Sequence, residues 1–365
     1  MERRRVLTLG AVATGTFALG GLASRGRAGT STASSATPVV DRLVLTNAVD
    51  NIYDVFAAAG RLDTIAVQRT PLGRNALVAE HGLAYHLESA RGDERRQILL
   101  DFSLTEATLS HNYAVLGIDP RAADALVLSH GHLDHYGALP ALAARDRFRP
   151  AVPLYAGGED TFCHRVVVTP TATVDQGRLD RPGLEARGLR VVVTRDPAVV
   201  AGHAFTSGQV PRRTEFERPP AGARLEAGPA GSACSATHFG NVQVEARPGE
   251  LVPDTFQGEH ATAYHVRGRG LVVITSCGHA GVVNSIRQVQ KVSGIEKVHA
   301  IVGGFHLAPA PEEVVEKTVA AFKRIDPDYI VPAHCTGINT IIAIHRELPA
   351  KLVMPSTGTR VVFGA

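Results

Sequence analysis

The chain has 365 residues, of which 44% are hydrophobic, 20% charged and 5% aromatic, as is typical of a folded globular protein. Its formal net charge is only +3, and its arginines are dispersed rather than gathered with aromatic residues into a basic stripe. These features argue against nucleic acid as a partner.

The first 36 residues have the pattern of an export signal. Consecutive arginines precede an apolar, glycine-containing core over residues 6–22, and a small, polar stretch over residues 23–36 offers room for a cleavage site. Paired arginines are typical of twin-arginine signals, although Glu2 and Val6 depart from that motif. An uncleaved anchor is the alternative, but about 17 apolar residues broken by Gly and Thr are short for a membrane span. We therefore expect an exported protein, periplasmic or extracellular, that does not stay in the membrane after leader cleavage.

The first half of the mature chain predicts a strand, a short helix, a β-hairpin and two further helices before a buried strand. The hairpin turns at the charged residues 91–94, and Asp119 followed by Pro120 is a good helix start. The order of these elements is typical of an α/β unit with its site at the carboxyl end of the last strand. In chain order, these are a strand at 42–49, a short helix at 53–59, the hairpin strands at 76–87 and 97–102, helices at 104–116 and from 119 onwards, and the buried strand at 125–128.

Directly after the strand at 125–128, four potential metal ligands fall within six residues: His130, His132, Asp134 and His135. Imidazole suits zinc and iron, and a carboxylate beside it lets one loop serve two adjacent ions. His130 and His132 are two residues apart, so they project to the same side of an extended loop. A loop whose histidines only cap or solvate the chain would not need this density of ligands, and we interpret the segment as a metal site.

Residues 195–233 interrupt the regular pattern with prolines, glycines and arginines, and we expect a long insertion there, either a rim facing the substrate or a disordered loop. Strands are predicted again at 270–275, 297–303 and 329–331, and a helix at 312–325. Each of these strands ends next to a histidine, namely His279, His306 or His334. Three such histidines together with the first motif predict one converging site.

The four cysteines of the chain are dispersed and lack zinc-finger spacing. An oxidising compartment would permit a disulfide, but the sequence does not assign the pair. Two of them lie within two residues of a candidate histidine. The cysteines are Cys163, Cys234, Cys277 and Cys335.

The segment SHGHLDHYGAL, which follows a buried strand, resembles the His-x-His-x-Asp-His signature of the metallo-β-lactamase fold superfamily. The resemblance implies an α/β fold, a four-layer αββα sandwich, which we expect as one domain over residues 37–365. It also implies two divalent metal ions, with zinc as the first choice and iron or manganese as alternatives. The residues that match the ligands of the superfamily are His130, His132 and His279 for one ion, and Asp134, His135 and His334 for the other.

The superfamily also has an aspartate that bridges the two metals, and in this chain its position falls near residues 304–306. Here the chain has His306 instead. Either His306 binds one ion, or it contacts the substrate, or the second ion is weakly held. An alternative alignment places Glu259 and His260 at the third ligand position and Cys277 near the bridge. Asp101 matches a buried aspartate of the superfamily that orients ligand imidazoles, although a capping role is the alternative.

Several strings resemble a narrower group, the dihydropterin-aminobenzene-phosphate synthases of the methanopterin pathway. The chain departs from the group where it has SCGH and HYGAL, and an export signal fits poorly with a cytoplasmic pathway. We therefore carry over the architecture of the site and not the biosynthetic reaction. The matching strings are EHGL, SHGHLDHYGAL, CGHAGVVN, GGFHL and PAHCTG.

The predicted function is a metal-dependent hydrolase that acts on a small-molecule ester, phosphoester, lactone or amide through a metal-activated water. Asp134 is predicted to receive a proton from the attacking water, and His306 to steady the developing oxyanion. Tyr136 is a second candidate for that role, with outward packing on its helix as the alternative. An iron-dependent redox enzyme acting on thiols or oxygen, and a non-catalytic metal-binding protein, are the competing hypotheses. The sequence gives no indication of the oligomeric state.

Overall fold

The computed structural model describes residues 37–73, 75–229, 231–235 and 246–364. The predicted leader, residues 1–36, lies outside these ranges, so its export role stays a prediction. Thr37–Ala365 form one compact unit. Within the described ranges, no helix has both the length and the apolar character needed to cross a bilayer.

The described strands are labelled β1 to β20 in chain order, and the longest are β2 and β5, with eight residues each. Strands β1 to β20 span Val39–Val40, Arg42–Val49, Gly60–Leu62, Ile65–Gln68, Ala84–Arg91, Glu94–Leu100, Ala125–Leu128, Pro153–Ala156, Arg165–Val168, Thr173–Gly177, Arg190–Val193, Val199–Val200, Ala204–Thr206, Ala223–Glu226, Leu251–Pro253, Thr262–Val266, Gly270–Thr275, Val298–Gly303, Tyr329–Pro332 and Arg360–Phe363.

The described α-helices, α1 to α7, span Glu106–Leu116, Leu133–Tyr136, Leu139–Ala144, Arg181–Ala186, Val282–Ser293, Glu312–Ile325 and Ile338–Glu347. Helix α6 has the predicted bounds, with acidic residues in its first turn and Lys323 and Arg324 in its last, as the helix dipole favours. Helix α1 begins at the N-cap Thr105, whose side chain accepts a hydrogen bond from the backbone N–H of Thr108, and ends at Gly117 in the left-handed conformation.

Two large sheets and one small sheet organise the strands. The nine-stranded sheet has the order β11-β8-β7-β6-β5-β2-β20-β4-β3, and the seven-stranded sheet the order β12-β13-β16-β17-β18-β19 with β1 beside β16. The small sheet, β10-β9-β14-β15, is joined to its neighbouring loop by a disulfide between Cys163 and Cys234.

The predicted four-layer αββα sandwich is confirmed by three apolar cores. One core fills the space between the two large sheets, where Leu45 and Leu87 of one sheet share a cluster with Val272 and Val302 of the other. The second lies between the nine-stranded sheet and helices α1 and α3. The third lies between the seven-stranded sheet and helices α5, α6 and α7.

The two large sheets present parallel strands to the same region of the molecule. Strand β7 runs parallel to β6 and β8, and β18 runs parallel to β17 and β19. The residues after the carboxyl ends of β7, β17, β18 and β19 are the segments in which the histidines were predicted to converge. The contacts described below join these segments across the two sheets.

Four local predictions differ from the structure. The first strand of the hairpin spans Ala84–Arg91 rather than residues 76–87. Residues 53–59 form a turn rather than a helix, because the carboxylate of Asp54 accepts a hydrogen bond from the N–H of Phe56. The segment after Asp119 forms only a single 3₁₀ turn, Pro120–Ala122. The predicted insertion contains β12, β13 and β14, which are too short to show a period in the sequence and extend two different sheets.

Candidate metal centre

The first motif leaves β7 in the geometry that its spacing predicts. His132 is the N-cap residue of α2, and Asp134 and His135 lie within that helix. Gly131 is needed between the histidines, because a Cβ there would overlap the backbone oxygen of Thr161 and the guanidinium of Arg165. All four ligand candidates of the motif are buried.

His130, His132 and His279 surround one point. Each pair of their ring centroids is 4.8 Å apart. Among the described atoms, the Nε2 of His130 and both ring nitrogens of His279 have no hydrogen-bond partner, although all three atoms are buried. Burial lowers the pKa of His132 to about 4 and holds the pKa values of His130 and His279 well below their usual range. Neutral imidazoles with unused nitrogens are what a metal ion requires.

Asp134, His135 and His334 form a second group beside the first. The Oδ2 atom of Asp134 lies 3.2 Å from Nε2 of His334 and 3.7 Å from Nε2 of His135. Burial opposes the charge of Asp134, but the neighbouring imidazoles outweigh it and hold the pKa of the carboxyl well below its usual range. The six predicted ligands are therefore brought together in the two sets that the sequence predicts.

Asp101 has the orienting contacts predicted for it. Its carboxylate accepts hydrogen bonds from the N–H of Ser129 at 2.8 Å, from the hydroxyl of Ser129 at 2.8 Å and from Nδ1 of His135 at 2.7 Å. Burial lowers the pKa of His135, but the charges of Asp134 and Asp101 outweigh it and raise that pKa to about 9. Because Nδ1 of His135 is held by Asp101, its Nε2 is the atom that faces the centre.

His279 is held from behind by residues of the loop after β15. The carboxylate of Glu259 accepts hydrogen bonds from the backbone N–H groups of His279 and Ala280. The ring of Phe256 stacks on that of His279, with centroids 4.1 Å apart. Nε2 of His260 lies 3.0 Å from the carbonyl oxygen of Leu128. Glu259 and His260 thus contact backbone groups. This does not favour the alternative alignment, in which these two residues occupy the third ligand position.

His334 is positioned by Asp50 and Asn51. Asp50 accepts a hydrogen bond from the N–H of His334 at 2.9 Å, and the amide group of Asn51 contacts both Nδ1 and the carbonyl oxygen of His334, each at 3.2 Å. The ring of His81 stacks on His334 with centroids 5.1 Å apart, and Nε2 of His81 lies 3.4 Å from Oδ2 of Asp134. The side chain of His81 is 68% exposed, so it connects the second group to solvent.

Two thiols lie at the middle of the centre. Sγ of Cys277 is 3.1 Å from Nε2 of His135 and 3.3 Å from Sγ of Cys335. Burial raises the pKa of Cys277 well above its usual range. The sequence predicts a role for Cys277 only in the alternative alignment, and it places Cys277 and Cys335 beside the histidine-rich site only in the redox hypothesis. The signal was present, because Cys277 and His279 have the same two-residue spacing after a strand as His130 and His132.

His306 lies beside the centre, on the side of the thiols. Its ring centroid is 4.1 Å from that of His279, and one of its ring nitrogens lies within 4.8 Å of Sγ of Cys335. Among the described residues, the clusters suited to hold a metal include one formed by Cys277, His306 and Cys335. The segment 304–306, where the resemblance implies a bridging aspartate, contains no carboxylate, and its His306 lies beside the thiols.

The residues of this region that have positive φ values without being glycine include Asp101 at 60°, His306 at 46° and His334 at 49°. Such a conformation is uncommon for residues with a side chain, and it costs free energy that the surrounding structure must offset. Its repetition at the ends of three strands indicates that the chain turns sharply to point these side chains into one place.

Tyr136 does not belong to the centre. Its hydroxyl donates a hydrogen bond to the carbonyl oxygen of Gln176 at 2.6 Å, and its ring packs in the core beneath the nine-stranded sheet. The structure therefore favours the alternative, packing of Tyr136 on its helix away from the centre, although the side chain is buried rather than turned outward.

The donor set fits a divalent metal. Several groups of three side chains have their ligand atoms within 4.8 Å of one another, and together they offer imidazole nitrogens, thiol sulfurs and one carboxylate. This mixture suits zinc, iron or cobalt better than magnesium or calcium, which prefer oxygen.

Comparisons with known proteins agree with this geometry. Residues 91–222, which include the first motif, match the family model described as metallo-beta-lactamase superfamily. Over 264 residues, 71% of this chain and 82% of the relative, the chain is 28% identical to 7,8-dihydropterin-6-methyl-4-(beta-D-ribofuranosyl)-aminobenzene-5'-phosphate synthase of Methanocaldococcus jannaschii. The narrower resemblance noted in the sequence is therefore confirmed.

Two further likenesses are more limited. A stretch of 72 residues, 20% of this chain and 15% of the relative, is 42% identical to a ribonuclease of Thermus thermophilus. The solved structure of a metal-dependent hydrolase of the beta-lactamase superfamily superposes with a TM-score of 0.63 at 21% identity, covering 87% of this chain and 98% of that one. At this identity the superposition speaks for the fold alone.

Proposed function

We propose that this chain, a member of the metallo-β-lactamase superfamily with the four-layer fold of that family, is a metal-dependent hydrolase acting on a small ester, phosphoester or lactone. The observation that carries the proposal is the triangle of His130, His132 and His279, whose unused nitrogens face the group formed by Asp134 and His334. When bound there, divalent ions supply Lewis acidity and an activated water. Zinc is the ion that we expect first.

The protein's own residues would move the proton of the reaction. The Oδ2 atom of Asp134 lies 3.2 Å from Nε2 of His334 in the second group, and we assign it to receive the proton of the attacking water. From there, Nε2 of His81 is 3.4 Å away on a side chain that reaches solvent, which offers the proton an exit. His81 thus joins Asp134 as a candidate for proton transfer.

His306 is the candidate for steadying negative charge on the substrate. It lies at the rim of the first group, next to His279, and is only partly buried. The neighbouring Cys335 outweighs the effect of burial and raises the pKa of His306, which favours its protonated, donating form.

Chelation tests the proposal. Purified protein should hydrolyse at least one member of a panel of simple esters, phosphoesters and lactones, lose that activity with its metal, and regain it when zinc is added back. His132→Ala should lack the activity at every zinc concentration, whereas the surface variant His345→Ala should keep it. Full activity in the metal-free protein would refute the proposal.

We also propose that the mature protein works outside the cytoplasm. The disulfide between Cys163 and Cys234 supports an oxidising compartment, as does the arginine-led apolar segment at the start of the chain. Cell fractionation should recover the protein, shortened at its N-terminus and with this disulfide formed, in the exported fraction. Full-length protein found only in the cytoplasm would contradict export.

A redox enzyme is the second candidate, because two thiols lie 3.3 Å apart among the imidazoles. In that case purified protein would carry iron and consume a thiol or oxygen. The synthase named for the archaeal relative is a third candidate at 28% identity. An iron-loaded protein without hydrolytic activity would favour the redox enzyme over the hydrolase.

A further inference from the structure

The two ligand groups share one sulfur atom. Sγ of Cys277 lies within 4.8 Å of the ligand atoms of His130 and His279 on one side, and of those of His135 and His334 on the other. Cys277 follows β17 and is 2% exposed. Its thiol therefore occupies the space between the two groups, where one atom can contact both.

The surroundings of this thiol are unusual for a cysteine in a core. A buried free cysteine ordinarily packs against apolar side chains as a small hydrophobic residue. Here Sγ of Cys277 contacts Nε2 of His135 at 3.1 Å and Sγ of Cys335 at 3.3 Å. Imidazole nitrogens arranged around a sulfur are the environment of a metal–thiolate site rather than of apolar packing.

The bridging position also lacks a carboxylate. Asp134 is the only carboxylate in the clusters that the described residues form, and its cluster with His81 and His334 does not include Cys277 or a residue of the first group. The carboxylate of Glu259 is engaged by two backbone N–H groups. Cys277 is therefore the shared side chain that can become anionic between the two ion positions.

We infer that Cys277 is a thiolate ligand shared by two metal ions, so that the centre selects thiophilic ions over those that prefer oxygen. The inference rests on the metal-binding part of the proposed function. On loading, the Cys277 S–H bond breaks, its proton passes to solvent, and its electron pair binds the ions, so each chain releases one thiol proton. Cys335 donates a hydrogen bond of 3.3 Å from its Sγ to Sγ of Cys277, so it can stabilise the thiolate from outside the shared position.

Cobalt(II) titration of the metal-free protein tests the assignment, because a cobalt–thiolate bond produces a charge-transfer absorption in the near ultraviolet that nitrogen and oxygen ligands do not. A phosphine reductant keeps Cys277 and Cys335 reduced during the titration. Wild type and Cys335→Ser should both develop the band as they bind cobalt. Cys277→Ser and Cys277→Asp should bind cobalt without it, and Cys277→Asp, which restores a bridging carboxylate, should bind the second ion more tightly than Cys277→Ser.

The outcomes separate this inference from the proposed function. If wild type binds two cobalt ions without the band, or if Cys277→Ser keeps the band while Cys335→Ser loses it, the inference is wrong and the metal centre stands. If wild type binds no cobalt, the proposed function fails as well. Should Cys277→Ser not fold, as judged by circular dichroism, X-ray absorption of cobalt-loaded Cys335→Ser decides, since a sulfur neighbour of cobalt in that variant can come only from Cys277 among the two free thiols.

Discussion

Nδ1 of His135 donates a hydrogen bond of 2.7 Å to Oδ2 of Asp101, and both side chains are fully inaccessible to solvent. The same carboxylate receives the N–H and the hydroxyl of Ser129, the residue that begins the motif loop. One buried aspartate thus fixes the ring orientation of a ligand candidate and the start of the segment that carries three others.

Asp101→Asn is expected to weaken metal binding by about 10–100-fold, because an amide in place of the carboxylate no longer fixes His135 with Nε2 toward the centre. Competition with a chromophoric chelator measures the affinity. The surface variant Asp119→Asn, a charge-matched control, should bind metal as wild type does. Unchanged affinity in Asp101→Asn would show that this hydrogen bond does not orient a ligand.

Arg165→Met is expected to destabilise the protein by about 3–5 kcal/mol, since it leaves buried carboxylates without their partner. The guanidinium donates to Oδ2 of Asp254 at 2.7 Å, lies 3.6 Å from Asp160, and packs under Gly131 of the motif loop. Urea unfolding measures the loss. Arg224→Met, which removes a guanidinium that contacts only backbone carbonyls near the surface, should cost much less; equal losses would contradict this account.

Replacing both Cys163 and Cys234 by serine is expected to lower the free energy of unfolding by about 2–4 kcal/mol, because the bond closes a loop with a sequence separation of 71 residues. The same loss should follow when wild type is unfolded with reductant, and the serine variant should not respond to reductant. If wild-type stability is independent of reductant, the disulfide does not contribute to folding.

Phe56→Ala is expected to raise KM about tenfold for an apolar substrate while changing kcat little, because covering this side chain contributes about 1.5 kcal/mol or more to substrate binding. Phe56 is 95% exposed, and the turn that carries it also exposes Ile52 and Val55 and starts at Asn51, which contacts His334. Val174→Ala, another exposed apolar position, should leave KM unchanged. Equal KM values in the Phe56 variant and wild type would show that this turn does not contact the substrate.

Strongly periodic segments were predictable from the sequence. Helix α6 and strand β2 have their predicted bounds, because an amphipathic face and a continuous apolar run are each complete in the local sequence. The six candidate ligands were also identifiable, since each follows a strand in a recurring pattern. The resemblance to the superfamily then assigned these residues to two groups, one for each metal ion.

Features that depend on tertiary contacts were not predictable. The string EHGL contains His81, but only the fold brings the ring of His81 onto His334 and its Nε2 close to Asp134. The turn at residues 53–59 contains good helix formers, yet the carboxylate of Asp54 captures a backbone N–H locally. The proposed role of Cys277 depends on its contact with His135, which is 142 residues away in the chain.

Elemental analysis of purified wild type, His132→Ala and His345→Ala tests the central claim most directly. We expect about two divalent transition-metal ions per chain in wild type and in the surface control His345→Ala, and a marked loss in His132→Ala, because one corner of the imidazole triangle is gone. Wild-type protein that binds no transition metal even after incubation with zinc, or equal metal content in all three proteins, would contradict the assignment of this centre.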